Sequence, residues 1–283
     1  MIKYIHAVKG GFIAFVLFTI GVIYIPGRGS SPDIEIILMI STFLFAILAG
    51  FFLARLNTRY NKITELVATE DAYFLSFFNT ARFLGKEFED NIKELIDTYY
   101  IIAYDFNSNY YKSNAGVLQM FYEELEKVDI KKNIKAESVF DEMVIFLSQI
   151  EENRNKDAVL TLDKVTRGQW GILLLLGSII IFFLFFLKTD ALYSQITTVL
   201  FSTILTLIIL IIRDLSSLRL NQGEDILQES GQEIFESIGK MRYYPEKHLK
   251  DGMTHIPKHV KRYRLGTHKP GAEKFEIIVV ENK

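Results

Sequence analysis

At 283 residues, with 49% hydrophobic and 13% aromatic side chains and a positive mean hydropathy, the chain is too apolar for an ordinary soluble globule and points to a membrane protein. The absence of cysteine excludes a disulfide framework, thiolate metal sites and a cysteine nucleophile. The net charge of −2 hides an asymmetry: residues 63–168 carry 20 acidic against 12 basic groups, whereas residues 240–283 carry 11 basic against 5 acidic.

Four segments meet the requirement of about 20 apolar residues for a membrane-crossing helix: residues 7–25, 34–54, 169–187 and 191–212. All four are apolar around the whole circumference, and their few charges (Lys9, Glu35) lie near an end, where they snorkel to the interface. The first span has the length of a signal sequence, but no small-residue cleavage site follows it, and it is expected to be retained. "PGRGSSPD" (26–33) joins the first pair and "KTD" (188–190) the second, so each pair forms a tight hairpin.

Both hairpin loops therefore share one side of the membrane. The other side carries Lys3, Lys9, Arg55, Arg59, Lys62, Lys164, Arg167, Arg213 and Arg219, and the positive-inside rule makes it cytoplasmic in the cell membrane, with both termini. The sequence thus divides into a first hairpin (1–54), a cytoplasmic helical region (55–168), a second hairpin (169–212) and a basic tail (213–283).

The cytoplasmic region reads as helical. "KITELVATEDAYFLSFFNTARFLG" continues the second span and stops at Gly85, and "KEFEDNIKELIDTYYIIAYDF" follows over residues 86–106. After "NSNYYKSN", expected as a loop, a shorter helix covers residues 116–128. From Glu137 a stripe of Phe140, Val144, Leu147 and Ile150 predicts a helix that runs without a break into the third span. The closing "KFEIIVVENK" has a short β-type run, fitting an edge strand or a docked tail. The basic tail has two natural counterparts, anionic headgroups and the acidic middle segment.

Few constellations suggest chemistry. Phe43, Ile47 and Phe51 recur at a spacing of four and share one face of the second span. Placed around a common axis in an oligomer, they would form a dry constriction; facing lipid or a neighbouring helix, they would be ordinary packing. Gly50 beside them allows close approach or a bend. Ser194, Thr198, Ser202 and Thr206 make a similar polar stripe on the fourth span, suited to interhelical bonding or to a wet path.

His255 and His259 have the spacing of a helical metal pair, but Pro257 between them works against the helix, so no metal and no cofactor is expected. Acidic groups such as Glu65, Glu70 and Asp71 show no partner pattern for acid-base work, and no enzyme is implied. Tyr243, Tyr244 and Tyr263 in the basic tail raise nucleic acid as a partner, but beside a bilayer the lipid headgroup is the nearer polyanion.

"GFFLARLNTRYNK" (50–62) resembles the pore-lining helix of bestrophin channels, which passes through a Gly-Phe pair into a segment bearing an arginine, an asparagine and an aromatic residue followed by a basic one. "ELVATEDAYFLSFFNTARFL", "RNKDAV" with "RGQWGILLLLG", and "FESIGKMRYYP" are similar to the prokaryotic bestrophin-like family. The resemblance covers residues 30–245 and implies an all-α, four-span fold with a cytoplasmic helical bundle, a homo-pentamer, and a passive pathway for inorganic anions such as chloride. It also implies a neck at Phe43, Ile47 and Phe51, below which Arg55 and Arg59 would form the cytoplasmic mouth. Two departures stand out: "RDLSSLRLNQGEDIL" after the last span lacks the calcium-binding acidic run, and "NKITE" replaces an aromatic "WWE". The competing reading is a non-conducting scaffold or sensor whose bundle and basic tail bind a partner or lipid.

Overall fold

The computed structural model describes residues 5–105, 110–129, 134–218, 226–250, 252, 254–267 and 276–282. They fold as two compact units, Met1–Asn61 with Asp163–Leu220, and Lys62–Leu162 with Asn221–Lys283. The two hairpins thus meet in one unit, and the middle segment and tail share the other.

The first unit holds four helices long and apolar enough to cross a membrane, α1 (Ala7–Tyr24), the beginning of α2 (Pro32–Ala81), α6 (Arg167–Leu187) and α7 (Leu192–Ser216). The helix α2 starts with Pro32, whose fixed φ suits the first turn, and Asp33 and Glu35 there complement the helix dipole. Its inward face, Phe45, Ala49, Phe52 and Leu56, packs with Leu173 and Ile180 of α6 and with Leu205, Ile212 and Leu215 of α7. Such contacts among apolar spans depend on close fit rather than on the hydrophobic effect, since lipid is as apolar as leucine. Glycines supply that fit on α1, where a Cβ at Gly10 would lie 2.7 Å from Leu210 and one at Gly11 3.0 Å from Leu207.

A buried carboxylate fastens α1 to α7. Asp214 accepts the backbone N–H of Ala7 at 2.8 Å, satisfying one of the orphan donors at the start of α1, and is held from behind by Arg213 Nη2 at 2.7 Å. The same Arg213 nitrogen donates to the carbonyl of Ile5 at 2.5 Å.

In the second unit, α2 continues without interruption to Ala81, then tightens into a 3-10 turn (Arg82–Leu84) that ends at Gly85, whose φ of 117° favours glycine. Phe74 and Phe77 of α2 pack with Ile96 and Tyr99 of α3 (Lys86–Asp105), Phe121 of α4 (Tyr110–Glu126), Leu147 of α5 (Ile134–Leu162), and Phe235 of α8 (Ile226–Ser237). On α5 the buried stripe is Met143, Leu147 and Ile150, while Phe140 and Val144 are only half-buried at its edge.

Two sequence expectations need correction. The expected loop "NSNYYKSN" is helical from Tyr110 onward, since extending a helix already present adds one backbone bond per residue fixed; residues 106–109 lie outside the described residues. The helix before the third span does not run into it: α5 stops at Leu162 and α6 starts afresh at Arg167. The cause is a capping box, in which Thr166 Oγ1 accepts the Gln169 N–H and Gln169 Oε1 accepts the Thr166 N–H at 2.9 Å.

After α8 the tail forms β1 (Tyr243–Pro245), a short helix α9 (Glu246–Lys250), β2 (Arg262–Thr267) and β3 (Glu276–Glu281), in a three-stranded sheet of order β1-β2-β3. Strands β1 and β2 are parallel, with Tyr243 opposite Arg264, and β2 and β3 antiparallel, with Tyr263 opposite Val280. The edge strand expected near "EIIVV" is β3. Tyr243, Tyr244 and Tyr263 are all buried, so their aromatic faces serve the core of this unit.

Candidate functional site

The first unit separates two faces of α2. Phe45, Ala49 and Phe52 are buried against α6 and α7, whereas Phe43, Ile47 and Phe51 are 66%, 54% and 58% exposed and face away from the chain's own core. These three recur every four residues, which rotates each by only about 40° from the last, so they form one outward apolar stripe. Gly50 next to Phe51 makes no close approach, since a Cβ there would have nothing within 4 Å, and α2 remains one continuous helix through it. Phe51 also lines a small apolar cleft with Leu48, Phe52, Gln169 and Ile172, at the start of α6.

One turn beyond Phe51 the chemistry changes. Arg55 Nη2 pairs with Asp163 Oδ1 at 2.5 Å, in the short segment that separates α5 from α6. Arg59 lies within the unit, 3% exposed, and donates to the Ser216 carbonyl at 3.2 Å near the end of α7. Of the two residues expected at a mouth, Arg55 thus faces a carboxylate, and Arg59 closes the C-terminal end of a helix, where cations are favoured. Within "LARLNTRYNK", Leu56 is fully buried, Asn57 is exposed and Tyr60 packs at the edge of the core. Ser216 completes this junction by accepting the Val165 N–H on its hydroxyl at 3.3 Å.

The polar stripe of α7 turns inward. Thr198 donates to the Ser194 carbonyl at 2.9 Å and reaches the Leu184 carbonyl of α6 at 3.5 Å. Thr206 donates to the Ser202 carbonyl at 2.9 Å, and Ser194 Oγ accepts the Thr189 N–H at 3.0 Å. Thr198 and Ser202 are buried, which makes this stripe an intramolecular packing surface of the second hairpin.

The Bestrophin-like domain matches residues 13–217, more than half of the chain, from within the first span to the end of the fourth. The chain belongs to the bestrophin-like family. No curated protein and no solved structure matches it. For this bestrophin-like protein, family and fold agree on a four-span helical membrane protein.

The junction residues Asp163, Thr166, Gln169 and Ser216 had no part in the sequence reading of the site. Asp163 is 108 positions from Arg55, too far for any local pattern to announce. The Thr-x-x-Gln box just before an apolar run was a legible signal of a helix start.

Proposed function

We propose that this bestrophin-like protein is the subunit of an oligomeric ion channel whose neck is the stripe Phe43, Ile47 and Phe51. The observation that carries this reading is the outward placement of that stripe, on the helix whose opposite face is packed by the chain's own spans. Around an axis, such side chains form a constriction that resists ions until it widens or wets. Family membership supports the same use of the second span.

The resemblance to bestrophins favours small anions and a pentamer. With Arg55 paired to Asp163 and Arg59 buried against the end of α7, selectivity in this reading rests on the oligomer's dimensions rather than on a ring of exposed arginines. The second unit is cytoplasmic in this reading, following the distribution of basic residues between the two ends of the spans. The scaffold reading drew its support from a free basic tail. Lys240, Arg242 and Arg264 of that tail have carboxylate partners within the second unit, Glu94, Glu236 and Asp97.

Reconstitution into liposomes tests the proposal. Chloride flux or current from the wild type, larger in Phe51→Ala, is expected; purified protein that passes no ion at any potential overturns it.

A further inference from the structure

The second unit contains a buried carboxylate that no pore requires. Asp71 lies on the part of α2 that belongs to the second unit. It is 5% exposed. From α3, the hydroxyl of Tyr100 donates to its Oδ1; from α8, the hydroxyl of Ser230 donates to its Oδ2. Its neighbour Glu70 accepts the hydroxyl of Tyr99 at 2.7 Å.

The helix α8 comes unusually close here. Gly231, next to Ser230, has no side chain, and a Cβ there would run into the hydroxyl of Tyr104 and the ring of Tyr100. A glycine inside a helix costs about 1 kcal/mol relative to alanine, so its presence at the point of closest approach marks where α8 presses on α3. The same helix carries Phe235 and Ile234 into the core and is the first described element after α7 in chain order. It closes over Asp71 and removes it from water.

The geometry points to a proton-operated latch: α8 is held closed over Asp71 more firmly when that carboxyl is protonated, and is released toward water when it is ionised. A carboxyl fits a dry site as the neutral acid, whereas its anion is better solvated in water. The two hydroxyl donors partly offset that penalty, which is why the closed state persists when Asp71 is charged. The ionisable groups around it are Glu70 on α2, Tyr99, Tyr100 and Tyr104 on α3, and Glu233 on α8. Burial above all, with Glu233 adding repulsion, lifts Asp71 from 3.8 to about 6 against the opposing bonds from Ser230 and Tyr100. Burial also pushes Tyr100 well above its ordinary value, so it stays a donor.

The sign follows from linkage. If release of α8 returns Asp71 to its ordinary 3.8, the closed form binds the proton more tightly, and lowering the pH from 7.5 to 5 favours closure by about tenfold. Amide hydrogen exchange of α8 in the full chain, held in detergent micelles and corrected for the intrinsic pH dependence of exchange, reads this directly. The expected result is an opening constant about tenfold smaller at pH 5 than at pH 7.5, with the difference lost in Asp71→Asn. Ser230→Ala gives a second arm that does not alter the carboxyl. It removes a bond that stabilises the anion, so the midpoint of the transition moves to higher pH. A pH-independent α8, protection that falls on acidification, the same transition in Asp71→Asn, or an unmoved midpoint in Ser230→Ala overturns the proposal.

Discussion

Arg264 grips Asp97 with both arms of its guanidinium, Nη1 to Oδ2 at 2.7 Å and Nη2 to Oδ1 at 2.6 Å, across 167 residues of sequence. The pair joins strand β2 to helix α3, and the guanidinium also lies 4.9 Å from the ring centroid of Phe235 on α8. Lys240 lies 3.7 Å from Asp97 Oδ2 and pairs with Glu94 at 2.6 Å. The acidic middle segment and the basic tail are thus counterparts within one unit.

Because both side chains of this pair are nearly buried, removing Asp97 leaves the Arg264 guanidinium charged and without its carboxylate. Asp97→Ala is expected to destabilise the second unit by about 3–5 kcal/mol, seen as a lower denaturation midpoint by circular dichroism. Replacing both, Asp97→Leu with Arg264→Met, should lose much less. Equal losses in the single and double variants would show that packing, not the stranded charge, sets the effect.

At the start of α1, Asp214→Ala removes the acceptor of the Ala7 N–H and the carboxylate beside Arg213. A loss of about 1.5–3 kcal/mol is expected, the usual worth of a hydrogen bond to a charged group. Limited proteolysis at the N-terminal end of α1 should accelerate in parallel. An unchanged cleavage rate would mean that glycine-mediated packing alone holds this helix.

The break between α5 and α6 depends on the Thr166 box. Thr166→Ala is expected to cost about 1 kcal/mol, whereas Thr166→Ser, which keeps the acceptor, should cost little. Thermal unfolding of the two variants side by side distinguishes a lost cap from a lost methyl group.

For Asp71 the folded-state value, about 6, lies above the unfolded value of 3.8. Its favourable contribution is therefore fully present below about 3.8 and lost as the pH rises through about 6, a change of about 3 kcal/mol. Asp71→Asn should be more stable than wild type at pH 7.5 and should lack the decline between pH 4 and 6. Unfolding midpoints measured across that window check both parts, and a parallel decline in the variant would assign it to another group.

The spans were legible because apolar runs of that length have almost no alternative to crossing a bilayer. The continuation of α2 to Ala81 was readable for a related reason, since its apolar spacing persists from Ile63 to Phe77 with no breaker before Gly85. The stop after Leu162 is hidden because Asp163, Lys164 and Val165 are poor stop signals, although the Thr166–Gln169 box marks the start that follows it. That Phe43, Ile47 and Phe51 share one face followed from spacing; that this face points away from the chain's own core did not. The fate of Arg55 and Arg59 did not, because Asp163 and Ser216 are distant in sequence and only the fold brings them near. The tail's small sheet was equally hidden: β1 is three residues long, and its partner β2 lies 19 positions further on.

Ion flux through reconstituted protein, wild type against Phe51→Ala, tests the central claim most directly. The account predicts chloride conduction by the wild type and a larger conductance when the neck side chain is truncated. Protein that conducts nothing at any potential, or equally well with and without the Phe51 ring, would contradict it.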